Sequence, residues 1–114
     1  MIGLTNTAKD AMLSLFAGKV FSLALFSGDE EIADAIYSRR EVQFGSPVGE
    51  DVRYVENLDK VLFEGFNGTH LVDHWAVVDL NGTLLARYRL VEPLEVSSQM
   101  DCKFRPGELR IGLP

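Results

Sequence analysis

The sequence predicts an all-β protein: an antiparallel β-sandwich or squat barrel of about eight strands with one N-terminal α-helix. In the last third of the chain, residues 84–91, 100–105 and 109–113 each alternate apolar and polar side chains. Turn-forming residues separate these runs, and Pro93 is expected to end the first of them. Alternation with a period of two predicts antiparallel strands that have one dry and one solvated face.

The size and composition of the chain fit one globular domain. Its 114 residues are 46% hydrophobic and 25% charged, which is ordinary for a soluble domain of this size. We expect a single domain over residues 1–114, with a helix at 6–17 and the β-sandwich at 20–113. The net charge of −6 argues against nucleic acid as a partner, because a phosphate backbone attracts basic proteins.

Three further absences in the sequence narrow the class of protein. No apolar run reaches about 18 residues, so no membrane partner is expected. No charged segment followed by an apolar run opens the chain, so we expect synthesis in the cytoplasm without a signal peptide. Cys102 is the single cysteine, which excludes an internal disulfide and a cysteine-based zinc cluster.

The predicted helix begins after Thr5 or Asn6, either of which can cap it, and ends before Gly18. Apolar residues recur there every three to four positions, as one face of a helix requires. The expected buried face consists of Ala8, Ala11, Met12, Leu15 and Phe16.

The middle of the chain predicts the remaining strands. Residues 20–26 are apolar on both sides of their alternation, which favours a strand buried on both faces. Residues 37–44 predict a second strand, and 52–66 predict one or two short strands broken near Asn57. Residues 70–80 predict a long, mostly buried strand that an Asn-Gly turn joins to the run starting at residue 84.

The residues that most often carry chemistry do not converge. His70 and His74 are four residues apart on a predicted strand, about 13 Å at ~3.3 Å per residue, so they cannot share a metal ion. Cys102 lies between two charged residues and on the apolar side of its predicted strand. We expect it to behave as a small hydrophobe. The acidic residues lack the spacing of a calcium loop. We therefore predict no enzyme, no metal and no cofactor.

Five segments, taken in order, carry a resemblance to a known family. They are residues 3–6 before the short helix, the strands at 22–26 and 38–44, the strand and hairpin at 74–85, and the closing stretch 93–113. In this order they resemble small virion structural proteins of tailed bacteriophages, often described as tail-fibre-like or minor structural proteins. Residues between 46 and 69 take no part in the resemblance.

The resemblance implies a non-enzymatic structural component of a tailed-phage virion, associated with the tail, tail tip or fibre. Its partners would be other copies of itself and other virion proteins, such as a tail or major capsid protein, held through symmetric protein–protein contacts. A capsid decoration protein bound to the outer head lattice is an alternative, and a carbohydrate- or receptor-binding β-sandwich is a further one. The expected location is the virion, after synthesis in the host cytoplasm.

Candidate contact residues follow from composition and position. Acidic side chains fill one loop, a second loop is bounded by glycine and proline, and two arginines share one face of a predicted strand. A basic stripe of this kind suits an acidic patch on a neighbouring copy. The candidate contacts are Asp29, Glu30, Glu31, Asp34, Pro47, Glu50, Asp51, Arg87 and Arg89.

Overall fold

A computed structural model describes residues 5–50 and 52–113. Over these residues the chain forms nine strands and one short helix, and every strand pair whose register is given is antiparallel, so the predicted mainly β class is confirmed. The elements are α1 (Asn6–Leu13), β1 (Val20–Ser27), β2 (Glu30–Glu31), β3 (Arg40–Gln43), β4 (Arg53–Glu56), β5 (Val61–Phe63), β6 (His70–Val78), β7 (Leu84–Val96), β8 (Cys102–Phe104) and β9 (Arg110–Leu113).

The described residues divide into two compact units, each assembled from separate pieces of the chain. The first unit contains residues 5–20, 42–50, 52–60 and 105–113, and the second contains 21–41 and 61–104.

Helix α1 is shorter than predicted and buries a different face. The Thr5 hydroxyl caps it by accepting from the Ala8 N–H at 3.1 Å, but the helix ends at Leu13 rather than at residue 17. The predicted buried face was wrong, since Lys9 and Leu13 are buried while Met12 and Leu15 are 48% and 64% exposed.

The early end of α1 accounts for part of this error. The Phe16 N–H donates to the Leu13 carbonyl, a tighter bond than the α-helical pattern, so the residues after Leu13 leave the predicted face. Over residues 5–50 and 52–113, no helix is long and apolar enough to cross a membrane.

In the first unit, α1 lies against a two-stranded sheet of β4 and β9. Val55 pairs with Ile111 across that sheet, and both side chains are buried. The predicted break near Asn57 is confirmed, because β4 ends at Glu56 and β5 begins at Val61. The side chain of Asn57 is itself part of the core of this unit.

Asn57 supplies the hydrogen bonds that the surrounding backbone lacks. Its side-chain amide donates to the carbonyls of Asp59 at 2.8 Å and Arg105 at 3.0 Å. Its side-chain oxygen accepts from the Leu109 N–H at 2.9 Å. One buried side chain thereby joins the β4–β5 connection to the turn before β9.

In the second unit, β1 and β6 form the centre of the main sheet, whose strand order is β2-β1-β6-β7, with β3 also paired to β1. Leu23 lies opposite Val77 and Leu25 opposite Trp75, and all four side chains are buried. The prediction that the strand at 20–26 is buried on both faces holds for its middle residues. β5 and β8 form a separate pair with Phe63 opposite Cys102.

The predicted hairpin between β6 and β7 is confirmed. Gly82 adopts a φ of 86°, a value that glycine reaches without strain. One carboxylate oxygen of Asp79 accepts from the Asn81 N–H at 2.9 Å and from the Thr83 N–H at 2.8 Å. The turn is therefore fixed by an aspartate as well as by its Asn-Gly pair.

Strand β7 departs most from the sequence prediction. It continues through Pro93 to Val96, because it is the end strand of the sheet and proline needs no N–H partner on an open edge. Val72 pairs with Leu94 and His74 with Arg89, so residues 90–93 form a wide bulge opposite one residue of β6. On its predicted dry face, formed by Leu84, Ala86, Tyr88 and Leu90, Leu84 is exposed and the other three are half-buried.

Other strands are shorter than the patterns indicated. The strand predicted at 37–44 is limited to β3, and the one predicted at 70–80 ends at Val78. The acidic turn after β1 contains the two-residue strand β2, whose Glu31 pairs with Phe26. A strand extends only as far as its backbone N–H and C=O groups find partners on a neighbouring strand. The alternation of side chains in the sequence does not reveal where those partners are.

We expect Asn57→Ala to destabilise the protein. Each buried backbone group that loses its partner costs about 1–3 kcal/mol, and this side chain serves two carbonyls and one N–H. Urea unfolding followed by circular dichroism should show a lower midpoint. Asn67→Ala is the matched control, because that side chain is exposed, and equal midpoints for the two variants would contradict the assignment.

Candidate functional site

The acidic loop after β1 is held largely by its own contacts. Glu31 forms a two-pronged ion pair with Arg39, at 2.8 and 3.0 Å, and accepts from the Tyr37 hydroxyl at 2.6 Å. The Arg39 bond lowers the pKa of Glu31, while burial and the Glu31 carboxylate raise the pKa of Tyr37. The Tyr37 oxygen in turn accepts from the Leu25 N–H at 3.0 Å, which ties the loop to β1.

Asp34 is the most enclosed of the candidate contact residues. Its side chain is only 2% exposed, although it carries a charge. The backbone N–H groups of Asn67, Gly68 and Ile36 each lie 2.9 Å from its oxygens, and the His70 ring lies at 2.7 Å. These three N–H donors hold the pKa of Asp34 well below its usual range, against the opposing effect of burial. Asp34 therefore holds the loop against the start of β6.

The two histidines have separate aspartate partners. His70 contacts Asp34, and the His74 Nδ1 lies 2.8 Å from the carboxylate of Asp73. Asp73 also accepts from the Gly28 N–H at 2.9 Å, and its pKa is lowered first by His74 and then by that N–H. Within the part of the chain that the structure describes, no three His, Cys, Asp or Glu side chains form a group suited to a metal ion.

Charged side chains gather on one face of the second unit's main sheet. Pairing places Phe26 beside His74 and His74 beside Arg89, and it places Ala76 beside Arg87. Because alternate residues share a face, these side chains point to the same side. Asp73 and Asp29 join this group through their contacts with His74 and Arg87, rather than by strand alternation. We call this surface the polar sheet face, formed by Asp29, Asp73, His74, Arg87 and Arg89.

The two arginines of the polar sheet face differ in what they contact. Arg87 lies 5.1 Å over the Phe26 ring, pairs with Asp29 at 3.3 Å and donates to the Gly28 carbonyl. Its Nε is buried and has no hydrogen-bond partner among residues 5–50 and 52–113. Arg89 is exposed and forms no ion pair among the described residues, so its charge is available to another molecule.

The second candidate loop belongs to the first unit and depends on a residue that sequence reasoning missed. Arg53 forms a two-pronged ion pair with Asp10 of α1, at 2.8 Å for both bonds, which lowers the pKa of Asp10. It also donates to the carbonyls of Pro47 and Gly49. An arginine just after a Gly- and Pro-rich loop was the available indication.

The candidate contact residues thus fall into separate groups. Asp29, Glu30, Glu31, Asp34, Arg87 and Arg89 belong to the second unit, and Pro47 and Glu50 belong to the first. Glu30 and Glu50 are exposed, while Pro47 is half-buried. Asp51 and residues 1–4 lie outside the described residues.

Sequence reasoning also missed a concentration of exposed apolar side chains on the β6–β7 hairpin. Six of the fourteen large apolar side chains that are exposed in the described chain lie between residues 70 and 96. Alternation had assigned Leu80 and Leu84 to dry faces. An apolar run beside an edge-strand proline was the available indication. The six residues are Leu71, Leu80, Leu84, Leu85, Val91 and Leu94.

No family model, curated protein sequence or solved structure matches this chain. Its function is therefore inferred from the surfaces that it presents. Exposed charged groups and exposed apolar side chains both occur on the β6–β7 hairpin, and both kinds of group are found at protein–protein contacts.

We expect Asp34→Asn to destabilise the protein most at neutral pH. The lowered pKa means that Asp34 stabilises the fold above its unfolded pKa, about 3.9, and that this contribution is lost as the pH falls toward the lower folded value. The difference in melting temperature between wild type and variant should therefore shrink in acid.

A pH series of thermal unfolding, from neutral to about pH 3, measures this effect. Glu64→Gln, a change at an exposed carboxylate with no hydrogen bond in the described chain, is the control. A difference for Asp34→Asn that does not depend on pH would show that the carboxylate charge is not what stabilises the loop.

We expect the Cys102 thiol to be inert in the folded protein. The side chain is fully buried, and burial raises its pKa to about 12, so almost no thiolate forms at pH 8. An aromatic disulfide reagent should label it much faster in urea than in buffer. Equal labelling rates would mean that β8 exposes the thiol.

Proposed function

We propose that this protein is a non-enzymatic structural component of a larger assembly, held by symmetric contacts between copies and with neighbouring proteins. The observation that carries the proposal is the group of exposed apolar side chains on the β6–β7 hairpin, next to the open edge of β7. Large apolar side chains gathered on one element are typical of a surface that another protein covers.

The available charges support the same conclusion. The positive charge of Arg89 and the exposed carboxylates of Glu92 and Glu95 lie on β7, and none forms an ion pair in the described chain. Charges of both signs beside apolar side chains favour a partner with a complementary pattern.

The kind of assembly rests on the resemblance in sequence. Segments at residues 22–26, 38–44, 74–85 and 93–113 resemble small structural proteins of tailed-phage virions. We therefore propose a place in a phage particle, associated with the tail, tail tip or fibre. Four of the six exposed apolar residues on the hairpin lie within those segments, namely Leu80, Leu84, Leu85 and Leu94.

We expect the purified protein to self-associate as its concentration rises. Light scattering coupled to size exclusion, over a series from about 1 to 500 μM, should give masses that increase from 12.7 kDa toward a defined multiple. A mass of one chain at every concentration would contradict self-assembly. It would favour a protein that takes its place only on a preformed lattice, as a capsid decoration protein does.

A further inference from the structure

We propose that two copies of this protein associate through the edge of β7, which lies antiparallel to the β7 of the second copy about a two-fold axis near Val91. This inference rests on the proposed function, since it names the partner and the geometry of one symmetric contact. The partner is identical in sequence, so every interaction across the axis occurs twice.

The first argument is that β7 has an open edge. It is 13 residues long, it ends the order of the main sheet, and β6 is its one partner among the described strands. In an antiparallel ladder, every second residue of such a strand directs its N–H and C=O away from the sheet. The other strands at sheet edges in the described chain are only two to four residues long.

The second argument is the position of Val91. Its side chain is 101% exposed, more than any other large apolar side chain in the described part of the chain. It lies in the bulge of residues 90–93, which forms opposite the single residue Asp73. The bulge therefore places an apolar side chain at the middle of the open edge, where a second copy would cover it.

The third argument is the order of charges along β7, which selects the partner. Arg87 and Arg89 precede Val91, and Glu92 and Glu95 follow it. In an antiparallel pair centred on Val91, the basic half of each strand lies opposite the acidic half of the other. A parallel pair would place like charges together, which destabilises cross-strand contacts. The complement of β7 is therefore β7 itself, reversed.

In a pair centred on Val91, Arg87 of each copy lies directly opposite Glu95 of the other, while Arg89 lies opposite Pro93. Glu95 is exposed and forms no ion pair among the described residues. Arg87 is partly engaged by Asp29. Glu95 is therefore the charge whose reversal tests the geometry.

The centre of the contact depends on side chains. Pro93 removes one backbone donor from the edge, and the bulge interrupts a regular ladder, so any strand that is added there, a second β7 included, forms fewer ladder bonds at residues 90–93. A two-fold contact uses the β7 edge of both copies and leaves none open, so it closes as a dimer rather than growing as a fibre.

The first test is Val91→Asp, with Leu15→Asp as the matched control. Both residues are exposed, at 101% and 64%, but Leu15 follows α1 and belongs neither to β7 nor to the apolar group on the hairpin. Val91→Asp would place two carboxylates face to face on the axis. Sedimentation equilibrium should show dimerisation weakened at least tenfold for Val91→Asp and unchanged for Leu15→Asp, with circular dichroism spectra like that of the wild type.

The second test reverses one charge. Glu95→Arg should weaken the dimer several-fold, because it places an arginine opposite Arg87 of the second copy. Glu92→Arg is the matched control and should weaken the dimer less, because residue 92 lies opposite Leu90 rather than opposite a charge.

The outcomes separate this inference from the proposed function. If the wild type self-associates and Val91→Asp does so equally well, or if Glu95→Arg associates as tightly as the wild type, the β7 contact is wrong while self-assembly stands. If the wild type remains a monomer up to about 500 μM, both the contact and self-assembly are overturned.

Discussion

The pairing of β1 with β6 is the constraint on which the second unit depends. Leu23, Ala24 and Leu25 of β1 have no exposed surface, so the centre of this sheet must be covered on both of its faces. Burying each of the two leucine side chains contributes about 1.5–3 kcal/mol. The pairing of Leu25 with Trp75 therefore fixes which residues of β6 remain for the edge and for the polar sheet face.

Outside that centre, order depends on a few polar side chains that each satisfy several backbone groups. Asp34 accepts from three N–H groups in the second unit, and Asn57 serves two carbonyls and one N–H in the first. Short strands leave many backbone groups without a ladder partner, and each such group costs free energy if it is buried. Where no neighbouring strand is present, a single side chain can satisfy three of these backbone groups.

The elements that the sequence predicts well are those whose cause is local. The Asn81-Gly82 hairpin follows from turn chemistry, and the buried middle of β1 follows from a continuous apolar run. The buried face of α1 and the exposure of Leu84 could not be predicted, because both depend on which neighbour lies beside the element. The role of Asp34 was hidden for the same reason, since its partners Asn67 and Gly68 are more than thirty residues away.

The unpaired edge of β7 carries features that select among the strands that could pair with it. An open edge of 13 residues would accept almost any extended chain, and proteins commonly protect such edges with a proline, a bulge or charges. β7 carries all three, yet it also exposes Val91 at the bulge. Protection alone would place a polar side chain there. A proline and bulge that deter regular pairing, combined with an apolar centre and charges of opposite sign on either side, instead favour the one partner that presents the same sequence in reverse.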